Sequence, residues 1–550
     1  MRGRGTTSFP GPSRFGLPSP SVKQRRRSKA ALLGSVAALL CKVVVSAVAL
    51  SIPVLGVWCG SSLAAFRGDS LWVPLAAGLV AFPVLPLLWD GLAEWRRRSQ
   101  QISRERFLTF WDRLILRTIA LNLAFLSALL AAQPEAAFTA LSTRGDWMLR
   151  GRGGAAVETT RRTLFAAAAG LEWLYEAAHE DEFARLAPDD ANETPDDLRP
   201  GSLPGDDGAG RPQDAGASES RPEDTGGAGA PDAGGPEPAA DGEAHLTTDQ
   251  PKPEPAPPDP MPRWPLSEEL HPAVKTMPRE EEESIESVAR YIAEREPNPY
   301  WRVKALHDWV ADRIGYDAPA LAARTYPSQD AVDVFHSRVA VCAGYARLMV
   351  ALGRAIGERV AYLTGDARTD VDEVGGGGHA WNAVQIEGEW YLLDATWDAG
   401  SVKGAVFTKR YGTEYLLTPP EIFGVDHFPE EPKWQLRAEP LSRGDFMRQP
   451  MLRPAFSARG FRLLQPQRSQ VTVSGTLQVV VDNPLGQYLM AHVAPRDDRA
   501  EDYDCSVDGR DQLRIDCRMP YPGVFRMSLF ANDQPFGSFE SVGSFDAVNR

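Results

Sequence analysis

Residues 187–263 divide the chain, because this segment contains no aromatic residue and is dominated by Pro, Gly, Ala, Asp and Glu. Such a composition cannot bury enough apolar surface to offset the conformational entropy lost on folding. We therefore predict that 187–263 is a disordered, acidic linker, extended by repulsion between its carboxylates. The 550 residues must then fold as separate units on either side of this tether.

The overall charge argues against nucleic acid as a partner, since the formal net charge is -14 and the pI is near 5.2. The charge is unevenly distributed, because residues 1–30 contain eight Lys or Arg and no Asp or Glu. Few large apolar side chains accompany these basic residues. Residues 1–29 are therefore predicted to be a disordered basic terminus.

Residues 30–134 are predicted to form a transmembrane region of about three helices. In 30–66 the only charged residue is Lys42, and 71–89 carries no charge at all. Both runs are long enough to cross a bilayer, which takes about 20 residues. The third apolar run, 118–134, is shorter and gives a weaker signal.

The distribution of basic residues predicts the orientation of these spans. Arginine-rich segments precede the first run and occupy the 91–112 loop, which places both in the cytoplasm. With three crossings the C-terminal half lies outside the cytoplasm, and with two it lies inside. We expect a multi-pass membrane protein with an extracytoplasmic C-terminal half, in contact with the bilayer through 30–134. Residues 135–186 are predicted to be a juxtamembrane helical segment.

The C-terminal half shows two different patterns. Residues 280–316 are predicted to be helical, whereas from about residue 460 short alternating strands and turns predict a β-sandwich domain over 446–550. The five cysteines are too few for a disulfide scaffold, and none has zinc-site spacing. Cys505 and Cys517 flank a turn-like segment and would form a hairpin disulfide in an oxidising compartment.

Cys342 stands where a helix is predicted to begin. The apolar residues after it recur at helical spacing, namely Tyr345, Leu348, Met349, Leu352 and Ile356, and Gly353 or Gly357 would end the helix. A cysteine in the first turn meets unpaired amides and the positive end of the helix dipole, which favour a reactive thiolate. The alternative interpretation, a small hydrophobic residue in the core, is the common one for a cysteine considered alone.

A predicted β-hairpin supplies a base and a carboxylate. Residues 379–386 and 389–397 are predicted to be strands joined at Glu387-Gly388. A two-residue loop makes His379 and Asp394 diagonal neighbours on one face, close enough for the carboxylate to orient the imidazole. A loop of three residues would put them on opposite faces. With the shorter loop, Cys342, His379 and Asp394 form a nucleophile, a base and an orienting acid.

Several motifs in this order resemble the transglutaminase-like superfamily of papain-like cysteine enzymes. They are "IGYD" (314–317), "VCAGYARLMVALGRAIG" (341–357), "GHAWNAV" (378–384) and "WYLLDATW" (390–397), and the segment 414–436 is similar to the kyphoscoliosis-peptidase-like branch. The resemblance implies an α+β fold, with a papain-like or transglutaminase-like catalytic domain over 264–445 followed by the β-sandwich. It also implies Cys342, His379 and Asp394 as the catalytic triad, with no metal or other cofactor.

These observations lead to two functional hypotheses. The first is a membrane-anchored thiol enzyme that forms a thioester and hydrolyses or transfers amide acyl groups on proteins or cell-wall peptides. The second is a catalytically inactive adaptor of the same fold. His427 and His307 are interpreted as structural histidines, and Trp381 and Trp397 are expected to flank the triad.

Overall fold

The structure, a computed structural model, describes most of the C-terminal half and parts of the N-terminal half. The described ranges are 53–70, 72–80, 84–100, 108–132, 134–149, 154–176, 183–187, 261–371, 377–497 and 501–550, with single positions at 36, 43, 44, 47, 51 and 152. The predicted terminus 1–29, about half of the first predicted span 30–66 and nearly all of the predicted linker 187–263 lie outside these ranges.

The described N-terminal part is helical. Its helices are α1 (53–67), α2 (Trp72–Leu79), α3 (Leu85–Ser99), α4 (Phe110–Ala132), α5 (Pro134–Arg144), α6 (Ala155–Ala169) and α7 (Glu172–Glu176). Within the described ranges, no helix combines the length and the apolar character that crossing a bilayer requires. Helix α2 has only 8 residues, and α4, with 23, carries Arg113 and Arg117, which pair with Asp90. The prediction of a multi-pass membrane region is therefore not supported by the described residues.

Helix α5 contacts the C-terminal half directly. The guanidinium group of Arg144 donates a hydrogen bond to the carbonyl of Gln470 at 3.0 Å. In the opposite direction, Arg448 donates to the carbonyl of Ser142 at 2.6 Å. Helix α5 therefore packs directly against residues from beyond 440.

The helices of the central domain are α8 (Pro272–Lys275), α9 (Ile285–Arg295), α10 (Pro299–Arg313), α11 (Ala318–Ala323), α12 (Ala331–Ser337), α13 (Cys342–Ala355), α14 (Pro420–Phe423) and α15 (Arg443–Arg448). Ser284 and Ser287 form a capping box at the start of α9, and Asn298 caps α10. The predicted helical run 280–316 is divided at 296–298, because Pro297 disfavours helical backbone at Glu296, and Pro299 then begins α10 as its first residue.

A five-stranded antiparallel sheet completes the central domain. Its spatial order is β8 (Leu416–Thr418), β5 (Glu389–Leu393), β4 (Gly377–Ile386), β3 (Arg359–Ala367) and β9 (His427–Pro429), and two short pairs join β1 (Gly315–Tyr316) to β2 (Val339–Ala340) and β6 (Gly400–Lys403) to β7 (Val406–Lys409). Helix α13 packs across β3 and β4, and the Asn382 amide donates to the carbonyl of Ala346 at 3.0 Å. Leu352 of the helix and Val384 of the sheet share one hydrophobic core, so the domain is α+β.

The C-terminal region is a β-sandwich. One sheet contains β10 (Met451–Leu452), β12 (Gln470–Val473), β14 (Tyr488–Pro495), β15 (Tyr503–Asp504), β18 (Gly523–Asn532) and β19 (Glu540–Asn549), and the other contains β11 (Arg462–Gln465), β13 (Thr476–Asp482), β16 (Ser506–Asp508) and β17 (Gln512–Arg518). Alternate residues of β13 and β17, including Val479 and Ile515, are buried in the core between the sheets. A disulfide joins Cys505 and Cys517.

Arg368 lies at the junction between the central domain and the sandwich, and only 1% of its surface is exposed. Its guanidinium group donates to the carbonyls of Val425 and Gln449, each at 3.0 Å, and its amide donates to the carbonyl of Asp426 at 3.0 Å. Buried cations are stable only when their donors are satisfied. This side chain therefore ties the segment before β9 to the start of the sandwich.

Candidate active site

Cys342 is the first residue of α13, and its side chain is fully buried. The N-cap, Val341, is extended and contributes no side-chain oxygen, so the positive end of the helix dipole is not offset by a cap and favours an anion at this position. Gln329 fixes the entry to the helix by accepting from the amide of Val341 at 3.0 Å. Gly344 permits this packing, because a Cβ there would lie 2.6 Å from Oε1 of Gln329 and 2.5 Å from Cβ of Ala340.

The predicted hairpin register is confirmed along the paired strands. Ile386 lies opposite Glu389, and the turn consists of Glu387 and Gly388, with φ of 54° and 94°. Two consecutive residues with positive φ are typical of the type I′ turn, whose twist matches that of the flanking strands. Strand β5 ends at Leu393, one residue before the predicted carboxylate.

The hairpin brings His379 and Asp394 together, with Nε2 of the imidazole 2.7 Å from Oδ2 of the carboxylate. The other carboxylate oxygen accepts from the amide of Thr396 at 2.8 Å, and the amide of Asp394 donates to the carbonyl of Tyr415 at 2.8 Å. Because Nε2 is committed to Asp394, Nδ1 is the ring nitrogen available to Cys342. The Cys342 side chain is hydrogen-bonded to His379, so the three predicted residues lie together at the start of α13.

His379 and Asp394 strongly affect each other's ionisation. Burial alone would lower the pKa of His379, but the Asp394 carboxylate and the Cys342 sulfur outweigh burial and raise this pKa to about 9. Burial alone would raise the pKa of Asp394, but His379 and then His427 hold it well below its usual range. At neutral pH the imidazole is therefore protonated and the carboxylate ionised.

His427, interpreted from sequence as structural, lies in β9 and contacts the site directly. Its Nε2 is 3.2 Å from Oδ2 of Asp394, and its Nδ1 is 2.7 Å from Oδ1 of Asp426. Burial would lower its pKa, but Asp426 and Asp394 raise it to about 9. Asp394 thus binds two histidines. No local sequence pattern predicts this, because His427 and Asp394 lie 33 residues apart.

Aromatic rings enclose this cluster. The ring centroid of His379 lies 5.9 Å from that of Trp381 and 5.5 Å from that of Trp397, so both tryptophans flank the histidine. His427 lies 4.1 Å from Phe423 and 4.4 Å from Trp397. Rings of this kind exclude water and lower the local dielectric constant, which strengthens the charge interactions between the histidines and Asp394.

His379, Asp394 and His427 also have the donor types of a metal site, since their ligand atoms lie within 4.8 Å of one another. However, both histidine nitrogens are at hydrogen-bonding distance from the same carboxylate oxygen, at 2.7 Å and 3.2 Å. The donors and the acceptor therefore satisfy each other without an ion. We interpret the three residues as a hydrogen-bond network rather than as metal ligands.

A second buried network lies beneath the site and includes His307. Its Nε2 is 3.0 Å from Oδ2 of Asp398, and its Nδ1 is 3.5 Å from Oδ1 of Asp308. Lys304 lies 2.6 Å from the other oxygen of Asp308, and the hydroxyl of Tyr411 donates to Asp308 at 2.6 Å. Burial alone would lower the pKa of His307, but the carboxylates of Asp308 and Asp398 outweigh burial and raise this pKa to about 9.

The second network reaches the loop that carries Asp394. The carboxylate of Asp398 accepts from the amide of Tyr415 at 3.1 Å, and the carbonyl of Tyr415 accepts from the amide of Asp394. Sequence reasoning missed this role of His307, although the adjacent Asp308 was a visible partner. The partner 91 residues away, Asp398, could not be recognised without the fold.

Comparison with known proteins agrees with this architecture. The model of the transglutaminase-like superfamily matches residues 286–395. Residues 286–395 form a transglutaminase-like domain. The chain is 31% identical to kyphoscoliosis peptidase of Mus musculus over 238 residues, which cover 42% of this chain and 35% of that protein. The same protein of Homo sapiens is 32% identical over 238 residues, with the same coverage of 42% and 35%.

The predicted superfamily and its kyphoscoliosis-peptidase-like branch are confirmed. The chain spans about a third of the length of these curated relatives, since the match covers 35% of each. A solved structure of a proposed cysteine protease from Cytophaga hutchinsonii is 28% identical and covers 21% of this chain and 37% of that chain. Its TM-score of 0.18 is too low to support any argument about the fold.

Proposed function

We propose that this protein is a cysteine enzyme that forms a thioester on Cys342 and hydrolyses or transfers amide acyl groups. The observation that carries the proposal is the pairing of His379 with Asp394 at 2.7 Å beside the first residue of a helix. This pairing orients the imidazole and keeps it protonated next to the sulfur. Membership in the transglutaminase-like superfamily supports the same chemistry.

The proposed reaction begins when the Cys342 thiolate attacks the carbonyl carbon of the amide. The carbonyl π electrons move to oxygen, and the amides at the start of α13 stabilise that oxyanion. His379 donates the proton on Nδ1 to the leaving amine as the C–N bond breaks, which leaves a thioester and a neutral imidazole. Water or a second amine then attacks the thioester with His379 as base, and the thiolate is released.

The substrate class is an amide in a protein or peptide, including cell-wall peptides. The choice between water and an amine depends on which one enters after the first product leaves. In the described structure Cys342 is 0% exposed and His379 is 6% exposed. The proposal therefore includes an opening of the site before an acyl donor can bind.

The location of the enzyme is also part of the proposal. The disulfide between Cys505 and Cys517 supports an oxidising compartment, because such bonds are rare in the cytosol. We therefore assign the transglutaminase-like domain to the extracytoplasmic side. The bilayer contact of 30–134 stays a prediction from the sequence.

The main alternative is the inactive adaptor, and the reactivity of Cys342 separates the two. The full chain is treated with iodoacetamide at pH 7, and modification of Cys342 is quantified by peptide mass spectrometry in wild type and in His379→Ala. The enzyme predicts fast labelling in wild type and labelling at least ten times slower in the variant. Equal, slow labelling in both would support the adaptor. Cys342→Ala provides the blank for the other cysteines.

A further inference from the structure

The second histidine of the site has an environment that restricts its charge state. Each ring nitrogen of His427 faces a carboxylate oxygen, Asp394 at 3.2 Å and Asp426 at 2.7 Å. A neutral imidazole has one N–H and one lone pair, so it could satisfy only one of these oxygens and would direct its lone pair at the other. Both contacts are favourable only for the imidazolium form.

From this geometry we infer that His427 is a positioning residue that sets the pH range in which the Cys342 thiolate forms. Asp426 holds the positive charge on His427, and His427 and His379 bind the same carboxylate, Asp394. The inference rests on the proposed function, because it concerns the same sulfur. His427 lies outside the triad and acts through its charge. It does not exchange a proton with the substrate.

The charge of Asp394 is divided between two cations. Both Nε2 atoms contact the same oxygen, Oδ2, at 2.7 Å for His379 and 3.2 Å for His427. With His427 charged, the two imidazolium rings of His379 and His427 balance the carboxylates of Asp394 and Asp426. Without that charge the four groups would carry one net negative charge, which would disfavour the thiolate of Cys342.

The support behind His427 keeps it in place. The hydroxyl of Tyr415 donates to Asp426 at 2.6 Å, so the carboxylate that binds Nδ1 is itself fixed. His427 is 1% exposed and stacks near Phe423 and Trp397. Water cannot readily replace either carboxylate as a partner in this enclosure.

Charged groups from several described elements face His427. Asp426 lies in the turn directly before β9, Asp394 follows β5, and His379 comes from β4. On β3, the residue paired with His427 is Ala367, and the neighbouring Asp366 is bound to Arg443. Asp394 and Asp426 are therefore the charges that decide the state of His427.

The test is the pH dependence of Cys342 labelling by iodoacetamide, measured on the full chain from pH 4 to 10. His427→Gln retains an N–H donor of similar reach but no charge. We expect the midpoint of labelling to move to higher pH by about one unit or more, with the same maximal rate at alkaline pH. A midpoint unchanged in a folded His427→Gln protein would overturn the inference, because a purely structural hydrogen bonder would change no midpoint.

A matched control and a second variant complete the experiment. His307→Gln removes another imidazolium held between two carboxylates, but within the described residues His307 pairs with Asp308 and Asp398 and not with Asp394, so the midpoint of this variant should equal that of wild type. If His427→Gln does not fold, Asp426→Asn keeps His427 in place and removes the charge that holds it protonated; a shift in the same direction is expected, and its absence refutes the inference. Wild-type labelling that is slow at every pH would instead reject the proposed function.

Discussion

The transglutaminase-like domain contains two similar buried networks, which differ in the group at which each network ends. In each, a histidine with a pKa raised to about 9 lies between two carboxylates: His427 between Asp394 and Asp426, and His307 between Asp308 and Asp398. The first network continues through His379 to a sulfur at the start of a helix. The second ends at Lys304, which is 2% exposed.

The difference teaches that a buried histidine and carboxylate do not by themselves identify an active site. Structural ion networks shift pKa values as strongly as catalytic ones do. What separates the two networks here is a nucleophile, Cys342, placed where a helix dipole favours an anion. In the second network Lys304 instead pairs with Asp308. Every charge in that network therefore has a partner, and none is available to react.

The first prediction tests this comparison by removing the nucleophile, Cys342. We expect Cys342→Ala to abolish the burst of p-nitrophenolate released from p-nitrophenyl acetate, because no other described group combines a thiol with an adjacent base. Cys59→Ala is the control and should leave the burst unchanged, since burial raises the pKa of Cys59 to about 11. A burst that survives in Cys342→Ala would assign the chemistry to another residue.

The second prediction concerns the carboxylate that the catalytic network shares. We expect Asp394→Asn to reduce the rate of Cys342 acylation by about 10²- to 10⁴-fold, because an amide cannot stabilise the imidazolium of His379. The rate is measured by stopped-flow with the same ester, and circular dichroism reports the folded fraction. A decrease of less than threefold in folded protein would contradict the assigned role.

The third prediction tests the second network by removing the cation of Lys304. We expect Lys304→Met to lower the free energy of unfolding by about 3–5 kcal/mol, because Asp308 would remain buried without its cation. Acylation of the folded fraction should be nearly unchanged. Urea denaturation measures the first effect, and Arg462→Ala, which breaks an ion pair whose arginine is 73% exposed, should cost at most about 1 kcal/mol.

The fourth and most gradual effect is the pH dependence of stability. The pKa values of His307, His379 and His427 are each raised from 6.5 to about 9. The folded chain therefore binds more protons than the unfolded chain between these values, and stability should fall as pH rises through about 9. Urea denaturation at pH 7 and pH 10 tests the sign. His307→Gln should show a smaller decline, and equal stability at both pH values in wild type would contradict the assignment.

The sequence predicted the local geometry of the site because two short-range patterns encode it. Alternation around Glu387-Gly388 sets the register that brings His379 to Asp394, and helical spacing after Cys342 sets the start of α13. The contact of His427 with Asp394 was not predicted, because a strand at the far edge of the sheet carries His427. The predicted spans stay a prediction from composition, since no helix within the described residues combines the length and the apolar character that crossing a bilayer requires.

The junction residue Arg368 has a mechanical consequence. Its guanidinium group grips the start of the sandwich at Gln449, and its amide holds the carbonyl of Asp426, the residue whose carboxylate binds His427. One buried residue therefore holds both the start of the sandwich and the residue that binds His427. A shift of Gln449 that displaced Arg368 would also displace Asp426, the partner of Nδ1 of His427.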